Sequence, residues 1–193
     1  MSPRTPEQLQ VLRAQRQASI MDAALHVFAE EHYHNASIGQ IAKRAGISKG
    51  LIYNYFESKE ALLVALMLNM FDELSTEFGI HENSEVSREL VLHWLNKSFE
   101  VVLRDKQHWK LYFSLIMQQE VQELVMDKMM ERAGPYVRLL HDWFVMSGHP
   151  NPVARMRYFT AVVDGIQMHL ILDPIAFPIE EVKTMIINEF LPE

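Results

Sequence analysis

The residues best suited to chemistry lie between Ser37 and Phe56, where hydroxyl, cationic, amide and aromatic side chains are interleaved with glycine. Ile38, Ile41, Ala42 and Ala45 share one face of a short segment, SIGQIAKRA, and Lys49 to Phe56 makes a second short helix. The turn Gly46-Ile47-Ser48 joins them, and two short helices with such a turn have the signature of a helix-turn-helix. Ala42 and Ala45 are small where the helices must cross closely. Gly46 admits a left-handed conformation without steric cost. Ile47 and Ile52 are placed to plug the inner side against Phe28 and Phe56. Ser48 can cap the second helix, whose first amides suit a phosphate. The outer face is left with Lys49, Gly50, Tyr53 and Asn54: a cation, a gap, an amphipathic ring and an amide. That set suits a major groove, where Asn pairs with adenine and a ring reaches a phosphate.

Other chemistries find little support. The chain has no cysteine, which excludes a disulfide scaffold, a thiol nucleophile, an iron–sulfur centre and a cysteine-ligated zinc. Nine histidines invite a metal, yet Glu31-x-x-His34 is the one Glu-x-x-His spacing, and a carboxylate di-metal bundle needs two. His141 and His149 straddle a loop without an obvious third ligand, so no metal and no cofactor are expected. There is no glycine-rich phosphate loop and no G-x-S-x-G elbow, and the chain is not expected to be an enzyme.

The elements that position the motif are helical throughout. Ile20, Ala24, Val27 and Phe28 form one stripe of a first helix from about Glu7 to Glu31, and His32 to Ala36 is a polar break. Ser58 opens a helix whose apolar stripe runs from Leu62 to Phe78, with Gly79 as its stop. His81 to Ser84 reads as a linker, and Ser84 or Ser87 caps a helix to about Arg104. Helices continue over Gln107–Gln118 and Val121–Ser147, the latter kinked or broken at Gly134-Pro135. Asn151 and Pro152 start a helix that ends near Leu172 at Asp173-Pro174, and Pro178 opens the last, to Phe190. The fold class is all-α with about nine helices: a helix-turn-helix domain over 1–57 and a second helical domain over 58–193.

The net charge of −7 hides an asymmetry. Residues 1–56 carry a balance of +2 and the remainder −9. The polar start MSPRTPEQLQ carries no signal-peptide core, and the longest apolar run, Ala61 to Leu68, is too short to span a bilayer. A soluble, cytoplasmic protein without membrane association is expected.

The stretch IGQIAKRAGISKGLIYNYFESKEALL resembles the N-terminal DNA-binding domain of the TetR family of transcriptional regulators over roughly residues 15–66. The likeness rests on the Ala-Gly-Ile-Ser-Lys-Gly turn, the Tyr53-x-Tyr55-Phe56 ending and the Ser58-Lys59-Glu60-Ala61-Leu62 start of the next helix. The resemblance implies an all-helical homodimer with a C-terminal ligand-binding domain. It implies phosphate-contacting roles for Ser37, Tyr53 and Lys59, and base-facing roles for Lys49, Gly50, Leu51 and Asn54. Arg4, Arg13 and Arg16 would reach the backbone or minor groove, although only Arg16 lies inside the matching stretch. Two residues depart from the pattern. His32 stands where glycine is usual, so the end of the first helix is expected to be strained or differently turned. Leu51 stands where a hydroxyl residue is common.

In the second half, Trp94, Phe99, Trp109, Tyr112, Phe113, Met117, Trp143, Met146, Tyr158 and Met168 punctuate helices with which such proteins enclose a pocket, and their rings and thioethers suit a lipophilic effector. Asp164, Gln167 and His169 are polar groups within an apolar helix, any of which could orient that effector. The resemblance makes the last two helices the dimer-forming pair, with Val162, Gly165, Ile166 and Leu170 on one and Val182, Met185, Ile186 and Phe190 on the other giving apolar faces for an intersubunit four-helix bundle. The expected function is a ligand-responsive repressor released from palindromic, double-stranded operator DNA by a small lipophilic molecule. The alternatives are an activator or accessory factor of the same type, or an all-α carrier or enzyme that has lost DNA binding.

Overall fold

Ten α-helices account for the regular structure in the computed structural model, which describes residues 5–80, 84–173 and 175–192, and no strand occurs among them. They are α1 (Pro6–Glu31), α2 (Ile38–Arg44), α3 (Lys49–Tyr53), α4 (Lys59–Phe78), α5 (Arg88–Arg104), α6 (Lys106–Ile116), α7 (Gln119–Arg132), α8 (Gly134–Met146), α9 (Pro152–Leu172) and α10 (Ile179–Phe190). The long segment expected over Val121–Ser147 is two helices, because Pro135 at the start of α8 cannot continue the hydrogen-bond ladder of α7. Arg4, residues 81–83 of the expected linker, and Pro174 lie outside the described residues.

Most helix starts are fixed by a nearby side chain. Thr5 and Gln8 form a reciprocal capping box at α1, with Pro6 in the first turn. Ser58 Oγ accepts from the Ala61 N–H at 2.9 Å, Ser87 Oγ from the Leu90 N–H at 3.1 Å, and Asn151 Oδ1 from the Ala154 N–H at 3.0 Å. Asp105 Oδ1 accepts from the His108 N–H at 3.0 Å at the start of α6. Each such cap is worth on the order of 1 kcal/mol.

Packing divides the chain into two compact units: residues 1–70 with 111–130, and residues 71–110 with 131–193. Where the sequence suggested domains of 1–57 and 58–193, the first packed unit ends at Met70, inside α4, and takes in residues 111–130 as well. The core of the first unit is aliphatic around one ring. Ile20, Ala24, Leu25 and Phe28 of α1, Ile41 of α2, Ile52 of α3, Leu62, Leu63 and Met67 of α4, and Leu115 and Val121 are all fully buried. Each buried Leu, Ile or Phe side chain contributes about 1.5–3 kcal/mol before entropy is charged against it.

The second unit is built on rings. Phe159 lies 5.7 Å from Phe144, 5.1 Å from Phe190 and 5.8 Å from Trp94 between centroids, and Phe78 meets Trp94 and Tyr136 edge-on. The closing end of α10 is held by three other helices. Arg155 donates to the Glu189 carbonyl at 2.6 Å, Trp143 Nε1 to the Phe190 carbonyl at 3.1 Å, and Arg88 Nε to the Leu191 carbonyl at 2.9 Å.

The end of α1 is strained. His32 closes it with φ 61° and ψ 145°, the one described non-glycine residue at positive φ. A side chain there costs on the order of 1–3 kcal/mol and persists because its surroundings hold it. His32→Gly should therefore stabilise the protein by about 1 kcal/mol and raise the melting temperature by roughly 2–4 °C, read by calorimetry. An unchanged or lower melting temperature would show that the histidine side chain contributes contacts outweighing the strain.

Candidate nucleic-acid interface

Serines set both helices of the motif. Ser37 Oγ accepts from the Gln40 N–H at 3.3 Å while Gln40 Oε1 accepts from the Ser37 N–H at 2.8 Å. Ser48 Oγ accepts from the Leu51 N–H at 3.3 Å, which is the cap expected from the sequence. Between them the chain reverses at Gly46, whose φ of 65° is the left-handed value that glycine adopts freely. The Ala45 N–H donates to the Ile41 carbonyl at 2.9 Å and the Ile47 N–H to the Ala42 carbonyl at 3.0 Å, closing the end of α2. Ile41 and Ile52 are fully buried on the inner side, so the two helices cannot roll without exposing them.

That anchoring leaves a polar outer face. Ser37, Gly39, Gln40, Lys43, Ser48, Lys49, Gly50, Tyr53 and Asn54 are all exposed, and Leu51 is half-buried. A Cβ added at Gly50 would meet nothing within 4 Å, so packing inside the chain gives no reason for glycine there. Arg13 crosses the end of α3. Its Nη2 donates to the Asn54 carbonyl at 3.4 Å, and its guanidinium lies 5.0 Å from the centre of the Tyr55 ring. Arg16 is exposed, and Arg44 is paired with Glu30 at 3.0 Å.

Lys59 sits differently from the other members of the expected set. Its ammonium donates to the carbonyls of Tyr33 at 2.8 Å, Ala36 at 3.1 Å and His34 at 3.5 Å, and lies 4.2 Å from the centre of the Tyr33 ring. Its three hydrogens are thus aimed at the connection between α1 and α2. The buried Tyr33 hydroxyl is pushed up to about 12, first by burial and then by the charges of Glu120 and Glu60. Gln118 also joins this connection: it accepts from the Tyr33 N–H at 2.7 Å and donates to the Phe28 carbonyl at 3.0 Å. Sequence reading passed over Gln118, because its partners lie 85 and 90 residues away and leave no local signal.

The expected effector walls are distributed unevenly. Phe99, Trp109 and Trp143 are buried, and each indole N–H is spent on a carbonyl, Trp109 on Val101 at 3.0 Å and Trp143 on Phe190. Trp94 and Met168 are half-buried, Tyr112 is buried, and Phe113 is half-buried. Burial pushes the Tyr112 hydroxyl up. Met117 and Met146 are 64% and 61% exposed, each standing at a helix end turned outward. Tyr158 is also exposed, at 49%. Gln167 donates to the Ser98 carbonyl at 3.1 Å, His169 stacks on Phe177 at 5.7 Å, and burial raises the Asp164 carboxyl.

The expected dimer residues fall into two sets. Gly165 and Met185 are exposed and Val162 and Val182 half-buried, whereas Ile166, Leu170, Ile186 and Phe190 are buried in the core of their own unit. Helical spacing explains the split, since Ile166 and Leu170 continue the inward stripe of Phe159 and Val163 while Gly165 lies off it. Among the described residues no three His, Asp or Glu gather as a metal site, and no helix is long and apolar enough to cross a membrane.

Comparison with known proteins finds a family match over one segment and a likeness of fold over the rest. Residues 20–66 match the model of bacterial regulatory proteins of the tetR family. The fatty acid metabolism regulator protein of Bacillus subtilis is 37% identical over 89 residues, which are 45% of this chain and 45% of that one, so the match spans less than half the length of either. Over the whole length the likeness is one of fold. The fatty acid degradation regulator FadR from Bacillus halodurans superposes with a TM-score of 0.71 at 22% identity, covering 98% of this chain and 97% of its own. FadR from Bacillus subtilis in complex with stearoyl-CoA gives 0.67 at 18% identity, with 91% and 98% covered. The helix-turn-helix thus lies inside residues that match the tetR family of bacterial regulatory proteins, and the all-helical fold is shared over nearly the whole chain.

Proposed function

We propose that this chain is a homodimeric, ligand-responsive transcriptional regulator that binds a palindromic operator through α2 and α3 and is released from it by a lipophilic effector. The observation that carries the reading is the outer face of the motif. Lys49, Tyr53 and Asn54 stand exposed around Gly50, a helical glycine that the chain's own packing does not need. A glycine left bare on an exposed helix lowers helix stability by about 1 kcal/mol relative to alanine, and close approach of a partner's backbone or bases gives a reason to keep it. The similarity to regulators of fatty acid metabolism supports the regulatory role, and the stearoyl-CoA held by one similar fold makes long-chain acyl-CoA the first effector class to test.

Assembly is supported by α9. Tyr158, Ala161, Gly165 and Leu172 are exposed along one side of it, with Met185 exposed on α10. Small residues at 161 and 165 let a second helix approach closely, and a two-fold partner would place two recognition helices about 34–36 Å apart, one turn of duplex.

These readings yield measurable outcomes. Duplexes selected from a random library should contain an inverted repeat, and Gly50→Ala should weaken binding to them about ten-fold or more while leaving the melting temperature equal or higher. Lys49→Ala should weaken binding by roughly 1–3 kcal/mol with an unchanged dimer. Wild-type affinity in both variants would remove this face from the interface. For assembly, Gly165→Arg should give monomers in sedimentation with native helix content, whereas Ile166→Asp should unfold the protein, its carboxylate being forced into a core. A reporter under the selected operator should be repressed and should recover when acyl-CoA is supplied. Activation by the protein would favour the activator reading.

A further inference from the structure

We infer that Gln118 is a positioning residue for DNA binding, fixing the α1–α2 connection, and through it the helix-turn-helix, to the corner between α6 and α7. The inference rests on the proposed DNA-binding function and adds to it the point at which the motif is held. The five residues from His32 to Ala36 are gripped from two sides. From α4, Lys59 takes the carbonyls of Tyr33, His34 and Ala36. From the corner, Gln118 takes the Tyr33 N–H and the Phe28 carbonyl. The next residue, Ser37, caps α2, so a displacement of this connection is passed directly to the motif.

The chemistry of the grip calls for an amide. Phe28 is among the last four residues of α1, whose carbonyls have no partner within the helix. The Tyr33 N–H belongs to a residue that is 4% exposed, and an unpaired backbone group in such a place is costly. One partner is an acceptor and the other a donor, so only a side chain offering both can serve both. Glutamate can accept from Tyr33 but cannot donate to Phe28, and leucine can do neither. The corner itself is firm. The Gln118 N–H donates to the Leu115 carbonyl at 3.1 Å, the Gln122 N–H donates to the Gln118 carbonyl at 3.0 Å, and the Gln122 side chain donates to the Ile116 carbonyl at 2.9 Å. The neighbouring His34–Glu120 pair, at 3.6 Å and well exposed, adds little.

Strain gives the grip its leverage. His32, inside the gripped segment, holds a positive φ that a side chain disfavours, and such conformations last only where neighbours enforce them. Its carbonyl accepts from the Ala36 N–H at 3.1 Å, so the connection closes as one turn. Without Gln118 the turn is free to relax toward a lower-energy backbone, and the cap of α2 moves with it.

The test uses the full-length protein and a duplex that the wild type selects from a random library, with a scrambled duplex beside it. Gln118→Leu should lower affinity for the selected duplex about three- to thirty-fold while affinity for the scrambled duplex and the salt dependence stay as they were. The Tyr33 amide should exchange faster. Gln118→Glu should fall between the two, and it serves if the leucine variant does not fold. Adding His32→Gly to either variant should recover most of the lost affinity by removing the strain. An unchanged ratio of selected to scrambled affinity would overturn the inference. So would an equal fall on both duplexes, which would mark a loss of folded protein alone. If the wild type selects no duplex, the proposed function fails; the grip is then decided by the Tyr33 amide, whose undiminished protection in Gln118→Leu would overturn it.

Discussion

Every helix leaves four amides at its start and four carbonyls at its end without partners, and a protein of ten helices must satisfy that requirement many times over. The two ends are met by different means in this chain. Starts are capped locally: Thr5, Ser37, Ser48, Ser58, Ser87, Asp105 and Asn151 each bond an amide three residues on. The best-held ends are closed from afar. Lys59 and Gln118 serve the end of α1 and the segment after it, and Arg88, Trp143 and Arg155 serve the end of α10. The local bonds decide where helices begin, and the distant ones decide how helices are held to each other.

The helix-turn-helix depends on both kinds of bond. Its own caps and its buried isoleucines make α2 and α3 rigid, which frees the opposite face to be polar. Its attachment to the preceding helix passes through a strained turn held by Lys59 and Gln118. A residue that looks like a phosphate contact by position is thereby engaged with the chain itself, and the charge of Lys59 is matched by three carbonyl dipoles and a ring. Cations on the outer face, such as Lys49, stay exposed in a chain whose remaining charge is acidic.

The second unit solves the same problem with rings. Phe144, Phe159 and Phe190 gather at centroid distances of 5.1 to 6.3 Å, and the Arg155 guanidinium lies 4.2 Å from the centre of Phe190 while bonding Glu189. This arrangement draws Ile166, Leu170, Ile186 and Phe190 inward, and it leaves the small residues of α9 outside. The surface available for a second copy is therefore narrower and less bulky than apolar content alone implies.

The sequence by itself determined the helical class, the helix-turn-helix and the places where helices begin and break. Those features are written in neighbouring residues: Gly46 for its turn, Ser48 for its cap, Pro135 for the break before α8, and the apolar spacing of Ile38, Ile41 and Ala42 for an inner face. His32 stood out only by the resemblance, which makes glycine usual at that position, and its positive φ came from the structure. Only the tertiary structure decided which face of α9 turns inward, that Met117 and Met146 stand at outward-turned ends, and that Gln118 reaches back to Phe28 and Tyr33. Periodicity defines a stripe but does not say which of two neighbouring residues at its edge meets the core, and a hydrogen bond across 85 or 90 residues has no spacing to betray it.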